Sequence, residues 1–153
     1  MSAIDDRLHS LGITLPDPFP PAGSYESSTR TGDLLFVGGH GPIAGTTIIR
    51  GKVGTDLTLE QGRDAARMTA LSLLATMRAD LGSLDRVEQI VKVFGMVNVG
   101  GTFDQTPAVI DGCSDLLVEI FGVRGRHTRS AIGVAALPFG IAVEIELIAR
   151  VAD

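Results

Sequence analysis

The sequence predicts an α+β fold, a mixed β-sheet carrying two long helices on one face. Three observations lead there: strand-like runs come in adjacent pairs near both ends of the chain, two long segments have helical spacing, and glycine-bearing turns punctuate the rest. The 153 residues suit one compact domain spanning 1–153, with residues 1–22 forming an N-terminal helix and a proline-rich arm.

Taken in order, Ile4, Leu8 and Leu11 recur at helical spacing and Gly12 follows as a stop, which predicts a short docking helix. Pro16, Pro18, Pro20 and Pro21 then forbid both helix and ladder pairing, so this stretch reads as an extended arm packed on the outer surface. Tyr25–Thr29 and Leu34–Gly38 flank Thr31-Gly32-Asp33 as a β-hairpin, and Thr46–Arg50 reads as a further short strand. Thr58 and Gln61 have the capping-box spacing and open a long helix ending at Gly82. Ala66, Ala70, Leu73, Leu74, Met77 and Leu81 form its apolar stripe. The Val/Ile-rich run Ile90–Val99 reads as a buried strand. Thr106 followed by Pro107 predicts an N-cap and first turn, and Ile110, Cys113, Leu117, Ile120 and Phe121 give the second long helix its buried face.

Two strands close the chain, Ala131–Val134 and Ala142–Val151, predicted as a hairpin about Leu137-Pro138-Phe139-Gly140. In that register Glu144 faces Gly133, about 13 Å along the strand from Arg129. The alternation of Val143, Ile145, Leu147 and Ala149 suggests that the face left bare by the helices is apolar and is buried by self-association.

Composition excludes several classes. A net charge of −5 and 5% aromatic residues disfavour a nucleic-acid surface. The polar, acidic start MSAIDDRLHS and the absence of a long apolar run point to the cytoplasm and no membrane span. A single cysteine and three scattered histidines offer neither a disulfide nor a metal-ligand pattern, so no metal is expected. Nucleotide-loop, nucleophile-elbow and zincin motifs are missing. Cys113 lies on an apolar helix face, where an inert core thiol is the plainer reading than a nucleophile.

Two places remain. His40 follows Gly38-Gly39 at a strand end, where bare backbone can approach a ligand; the plainer reading is a glycine-rich turn. In His127-Thr128-Arg129-Ser130, Arg129 can clamp a carboxylate, and Glu144, fifteen positions on, can hold water; the plainer reading makes both structural charges.

These residues carry a resemblance. Gly32–Pro42, Glu60-Gln61, Thr128-Arg129-Ser130, Leu137-Pro138 and Val143-Glu144-Ile145-Glu146 are similar to the RidA/YjgF family, also called L-PSP endoribonuclease, from Tyr25 to the end. The helix and arm before Tyr25 resemble a longer subgroup of that family. The resemblance implies a chorismate-mutase-like protomer, a homotrimer whose sheets pack into a central barrel, and ligand clefts between subunits. It implies hydrolysis of reactive 2-imino acids or enamines to 2-keto acids and ammonia without a cofactor. A trimer that only binds a small carboxylate or imino-acid ligand, and an endoribonuclease, are the other readings. Residue by residue, Arg129 would grip the substrate carboxylate, Glu144 would position water, and Tyr25, Gly38, Gly39, His40 and Ser130 would line the cleft. Three positions depart: Gly38 stands where the family usually has serine, the Pro107 region lacks the usual asparagine, and Ala131 replaces a frequent cysteine.

Overall fold

A helix with its two buried residues one turn apart begins the fold. The computed structural model describes residues 2–153, and in α1 (Ala3–Ser10) Ser2 caps the first turn while Ile4 and Leu8 are buried. Its first amides donate to the carboxylate of Asp85, Ala3 N at 3.0 Å and Ile4 N at 2.8 Å. Arg7 Nε donates to the Glu119 carbonyl at 3.0 Å, so the helix is fastened to two separate parts of the chain.

The main sheet has five strands: β1 (Ser28–Thr31), β2 (Leu34–His40), β5 (Val87–Asn98), β6 (Thr128–Val134) and β7 (Val143–Val151), in the order β1-β2-β7-β5-β6. Two residues, β3 (Ile43–Ala44), pair with two more, β4 (Thr47–Ile48), as a separate ribbon. Only β5 and β6 run parallel, joined through α3 (Thr106–Phe121); the other pairings are antiparallel. Gly32, at φ +59°, makes the β1–β2 turn. Between Val37 and His40 the β2–β7 register slips, so Gly38 and Gly39 form a bulge.

Helix α2 (Leu59–Leu81) starts in a complete capping box, Thr58 with Gln61, and ends at a left-handed Gly82. Its predicted stripe is buried, and so are Ser72, Ala75 and Thr76, because the helix packs on the sheet and on α3 at once. Gly62 and Gly112 let those helices close together: a β-carbon at Gly112 would come 2.2 Å from the Arg63 carbonyl oxygen. Cys113 is fully buried in this layer and burial pushes its thiol up to about 12, the behaviour of a core residue.

The structure corrects four expectations. The closing strands are not a hairpin, because β5 lies between β6 and β7. A parallel pair needs a crossover, and α3 supplies it, leaving glycine-bearing, half-exposed β6 at the edge and fully apolar-faced β7 in the centre. Next, Val143, Ile145, Leu147 and Ala149 face the helices; the bare face carries Glu144, Glu146, Ile148 and Arg150 with Phe36, Phe94, Met96 and Ile132. Third, Gln105 rather than Thr106 caps α3, since the Thr106 hydroxyl donates instead to the Ala131 carbonyl at 3.1 Å. Finally, Tyr25 lies outside β1.

Candidate functional site: two separated halves

The β2 bulge determines the first half. Glu144 projects from β7 onto the bare face and its carboxylate lies across the Gly39 backbone, where a β-carbon would stand 2.4 Å from Oε1. A side chain there would push the carboxylate aside, so glycine is what lets the two lie in contact. Gly38 is different: a β-carbon would meet nothing closer than the Ser27 carbonyl oxygen at 3.6 Å, so a serine side chain has room. Glu144 is half-buried, and its carboxyl lies above the usual range, first because of burial and second because of the charge of Glu146 on the same face.

This carboxylate opens into a cavity of about 140 Å³ whose walls include Tyr25, Gly38, Gly39, Ile141 and Phe139. Phe139 is the sole non-glycine residue with positive φ among the described residues, at +58°, and its ring is 74% exposed beside the opening. His40 borders the cavity, but its ring belongs to the layer beneath. The bulge turns it toward α2, where Nδ1 lies 2.8 Å from the Gly38 carbonyl and Nε2 2.8 Å from Thr76 Oγ. With Nδ1–H donating to the carbonyl, Nε2 accepts from the hydroxyl, and burial lowers the tendency of the ring to take a second proton.

The second half is polar and lies on the other face. Arg129 leaves edge strand β6 toward α3, where Nη1 donates to Asp111 Oδ1 at 2.7 Å and to Ser114 Oγ at 3.1 Å. Ser114 Oγ is 2.9 Å from His127 Nε2, and His127 Nδ1 is 2.6 Å from the Gly125 carbonyl. The chain of donors therefore runs from Arg129 to Ser114 to a neutral His127, whose charged form burial disfavours. Asp111 also approaches Arg63, at 4.0 Å. Both hydrogen bonds of the Arg129 guanidinium among the described residues pass through Nη1, and Arg129 borders an open pocket with Ser114, Val118, Arg126 and His127.

Of the residues singled out from the sequence, the fold brings together Tyr25, Gly38, Gly39, His40 and Glu144. It does not bring Arg129 to them. Arg129 pairs with Val93, and Val93 with Leu147, three residues beyond Glu144. Two strand spacings and three residues place their α-carbons roughly 14 Å apart, with side chains on opposite faces of the sheet. Ser130 points to the bare face, opposite Phe94, away from Arg129. Sequence reasoning missed Asp111 and Ser114, although their i, i+3 spacing on the helix leading into β6 puts both on one face. It also missed Phe19, Pro20 and Pro21 as cavity walls, for which the chain itself carries no local signal. Among the described residues no cluster of three or more His, Cys, Asp or Glu could hold a metal, and no helix is long and apolar enough to cross a membrane.

Protein TCP17 of Trypanosoma cruzi is 42% identical over 144 residues, covering 92% of this chain and 89% of that protein. A solved structure of a "putative endoribonuclease" from Shewanella oneidensis superposes with a TM-score of 0.94 at 31% identity, covering 98% of this chain and 100% of the other. Atu1372 of Agrobacterium tumefaciens, a protein of unknown function, gives 0.88 at 36% identity, covering 97% and 91%. Escherichia coli TdcF, solved with bound serine, shares the fold more loosely, with a TM-score of 0.61 at 23% identity over 91% of this chain and 96% of that one. A family model described as "YjgF/chorismate mutase-like, putative endoribonuclease" matches residues 5–151. Glu144 on its glycine bulge and Arg129 on its edge strand thus occupy a chain that belongs to the RidA/YjgF family.

Proposed function

We propose that the protein hydrolyses reactive 2-imino acids or enamines to 2-keto acids and ammonia, in clefts where the Arg129 half of one subunit meets the Glu144 half of the next. The observation that carries this reading is the opposition of the two halves: one protomer holds each, and neither can complete the other within it. A homotrimer resolves that. Exposed Phe36 and Ile132 on the bare sheet face, 41% and 44% accessible, give neighbouring copies apolar surface to cover.

In the cleft, the free edge of the Arg129 guanidinium takes the substrate carboxylate in a two-point grip. Asp111 and Ser114 hold its other side, so little freedom is lost on binding. Glu144 accepts a hydrogen bond from a water molecule aimed at the C=N carbon. Water adds there, its proton passes to nitrogen, and the tetrahedral adduct expels ammonia to leave the keto group. The raised carboxyl of Glu144 matches this role, since a base that is less comfortable as an anion takes a proton more readily. TdcF, a protein of the same fold, was solved with bound serine, a small carboxylate-bearing ligand.

Binding without turnover is the second reading, favoured by Gly38, which lacks the usual hydroxyl, and by the ion pair already made by Arg129. The net charge of −5 weighs against ribonuclease action. Semicarbazide trapping of an imine made by an amino-acid oxidase separates these readings. The protein should lower the trapped fraction, and Arg129→Ala should lose roughly a hundredfold or more in kcat/KM. Equal trapping with wild type and with no protein refutes the hydrolase.

A further inference from the structure

We infer that the end of the N-terminal arm, Phe19-Pro20-Pro21-Ala22, is a specificity-determining wall of the Glu144 cavity and makes the site select ligands with an apolar, benzyl-sized side chain. The inference rests on the imine-hydrolase reading for where the reacting carbon sits, and adds what lies on the other side of that carbon.

Three observations support it. The arm is anchored at its start and closed by a local bond at its end. At its start α1 is docked through Ile4, Leu8 and the Asp85 carboxylate, and Leu15 is buried in the same core. At its end the Ala22 amide donates to the Tyr25 hydroxyl at 3.0 Å, a local contact that joins two of the cavity's walls. Four prolines between positions 16 and 21 stiffen what lies between, so the wall is built before a ligand arrives.

The cavity's chemistry is the second observation. Phe19, Tyr25, Pro138, Phe139, Ile43 and Ile141 supply its sides, and Glu144 is the one carboxylate among its lining residues. Ser27, Ser72 and His40 border it too, but the walls are mostly apolar, and such a space rewards an apolar group more than a second charge. Exposure is the third: Phe19, Tyr25 and Phe139 are 46%, 55% and 74% accessible, yet all three border one opening. A volume of about 140 Å³ approximates the roughly 150 Å³ of an apolar cavity that takes up benzene. A phenyl or branched aliphatic side chain fills it; a methyl group leaves most of it empty.

The test uses the full-length protein, with pyruvate and phenylpyruvate as product-like probes in calorimetry, alongside trapping of the imines of alanine and phenylalanine. Wild type should prefer the benzyl member of each pair at least tenfold. Phe19→Ala should shrink that preference at least fivefold, and Tyr25→Phe, which deletes only the hydroxyl holding Ala22, should shrink it less. Unchanged ratios in both variants, or an equal fall for both probes, overturn the wall while leaving the hydrolase standing. If wild type consumes neither imine but still binds phenylpyruvate preferentially, the hydrolase fails and the wall survives. If it binds neither acid and consumes neither imine, both fall. Phe19 is half-exposed, so its removal does not threaten the fold, and an unchanged thermal midpoint checks this.

Discussion

The two halves of the site are built on opposite principles. Around Arg129 runs a polar network: a guanidinium on Asp111 and Ser114, a serine on a histidine, a histidine on a backbone carbonyl. Around Glu144 the walls are mostly apolar, and the half-buried carboxylate rests on a glycine bulge near the like charge of Glu146. The first arrangement suits recognition, since a group already held in place loses little on binding an anion. The second suits chemistry, since a desolvated base gains when it takes a proton.

If that contrast is right, damage to the Glu144 half should strike chemistry more than binding. Glu144→Gln keeps the shape and removes the base, so kcat should fall roughly a hundredfold or more with KM nearly unchanged, as steady-state trapping kinetics would reveal. An equal rise in KM would make Glu144 a binding residue. Gly39→Ala should come next, at about a tenfold loss of kcat, because the added methyl displaces the carboxylate by more than 1 Å of overlap. Full activity in that variant would mean that the carboxylate need not sit on the bulge. Glu146→Gln is the mildest. Activity requires ionised Glu144 and so declines as pH drops through its raised pKa; removing the neighbouring charge lowers that pKa and should move the acid limb of the rate profile to lower pH. An unmoved limb assigns the titration to another group.

How far the sequence could be read follows the same divide. Elements specified locally were legible: the capping box at Thr58 and Gln61, the left-handed Gly82, the turn at Gly32 and the apolar stripes of α2 and α3. Relations that depend on partner choice were not. Nothing near residues 131–151 says that β5 will insert between the last two strands, because β-pairing is decided by which faces need burial across the whole sheet. That one misassigned neighbour also put Arg129 on the wrong side of the sheet relative to Glu144, whereas the bare face of β7 was misplaced because its apolar residues turned out to be those the helices cover. Within the site, Arg129 and Glu144 were found through residue types and their spacing. Asp111 and Ser114 were masked by the apolar periodicity of the helix that carries them, and Phe19 by an arm that looked like connector.

The placement of Arg129 and Glu144 on opposite faces has a genetic reading. If each working cleft borrows one residue from either side of a seam, two dead variants mixed before refolding can rescue each other. Random assembly of equal parts Arg129→Ala and Glu144→Gln puts an intact guanidinium opposite an intact carboxylate in about a quarter of the clefts. Complementation to that level, from parents that are silent alone, would be the signature of a catalyst no individual chain possesses, and its absence would return both residues to a single polypeptide.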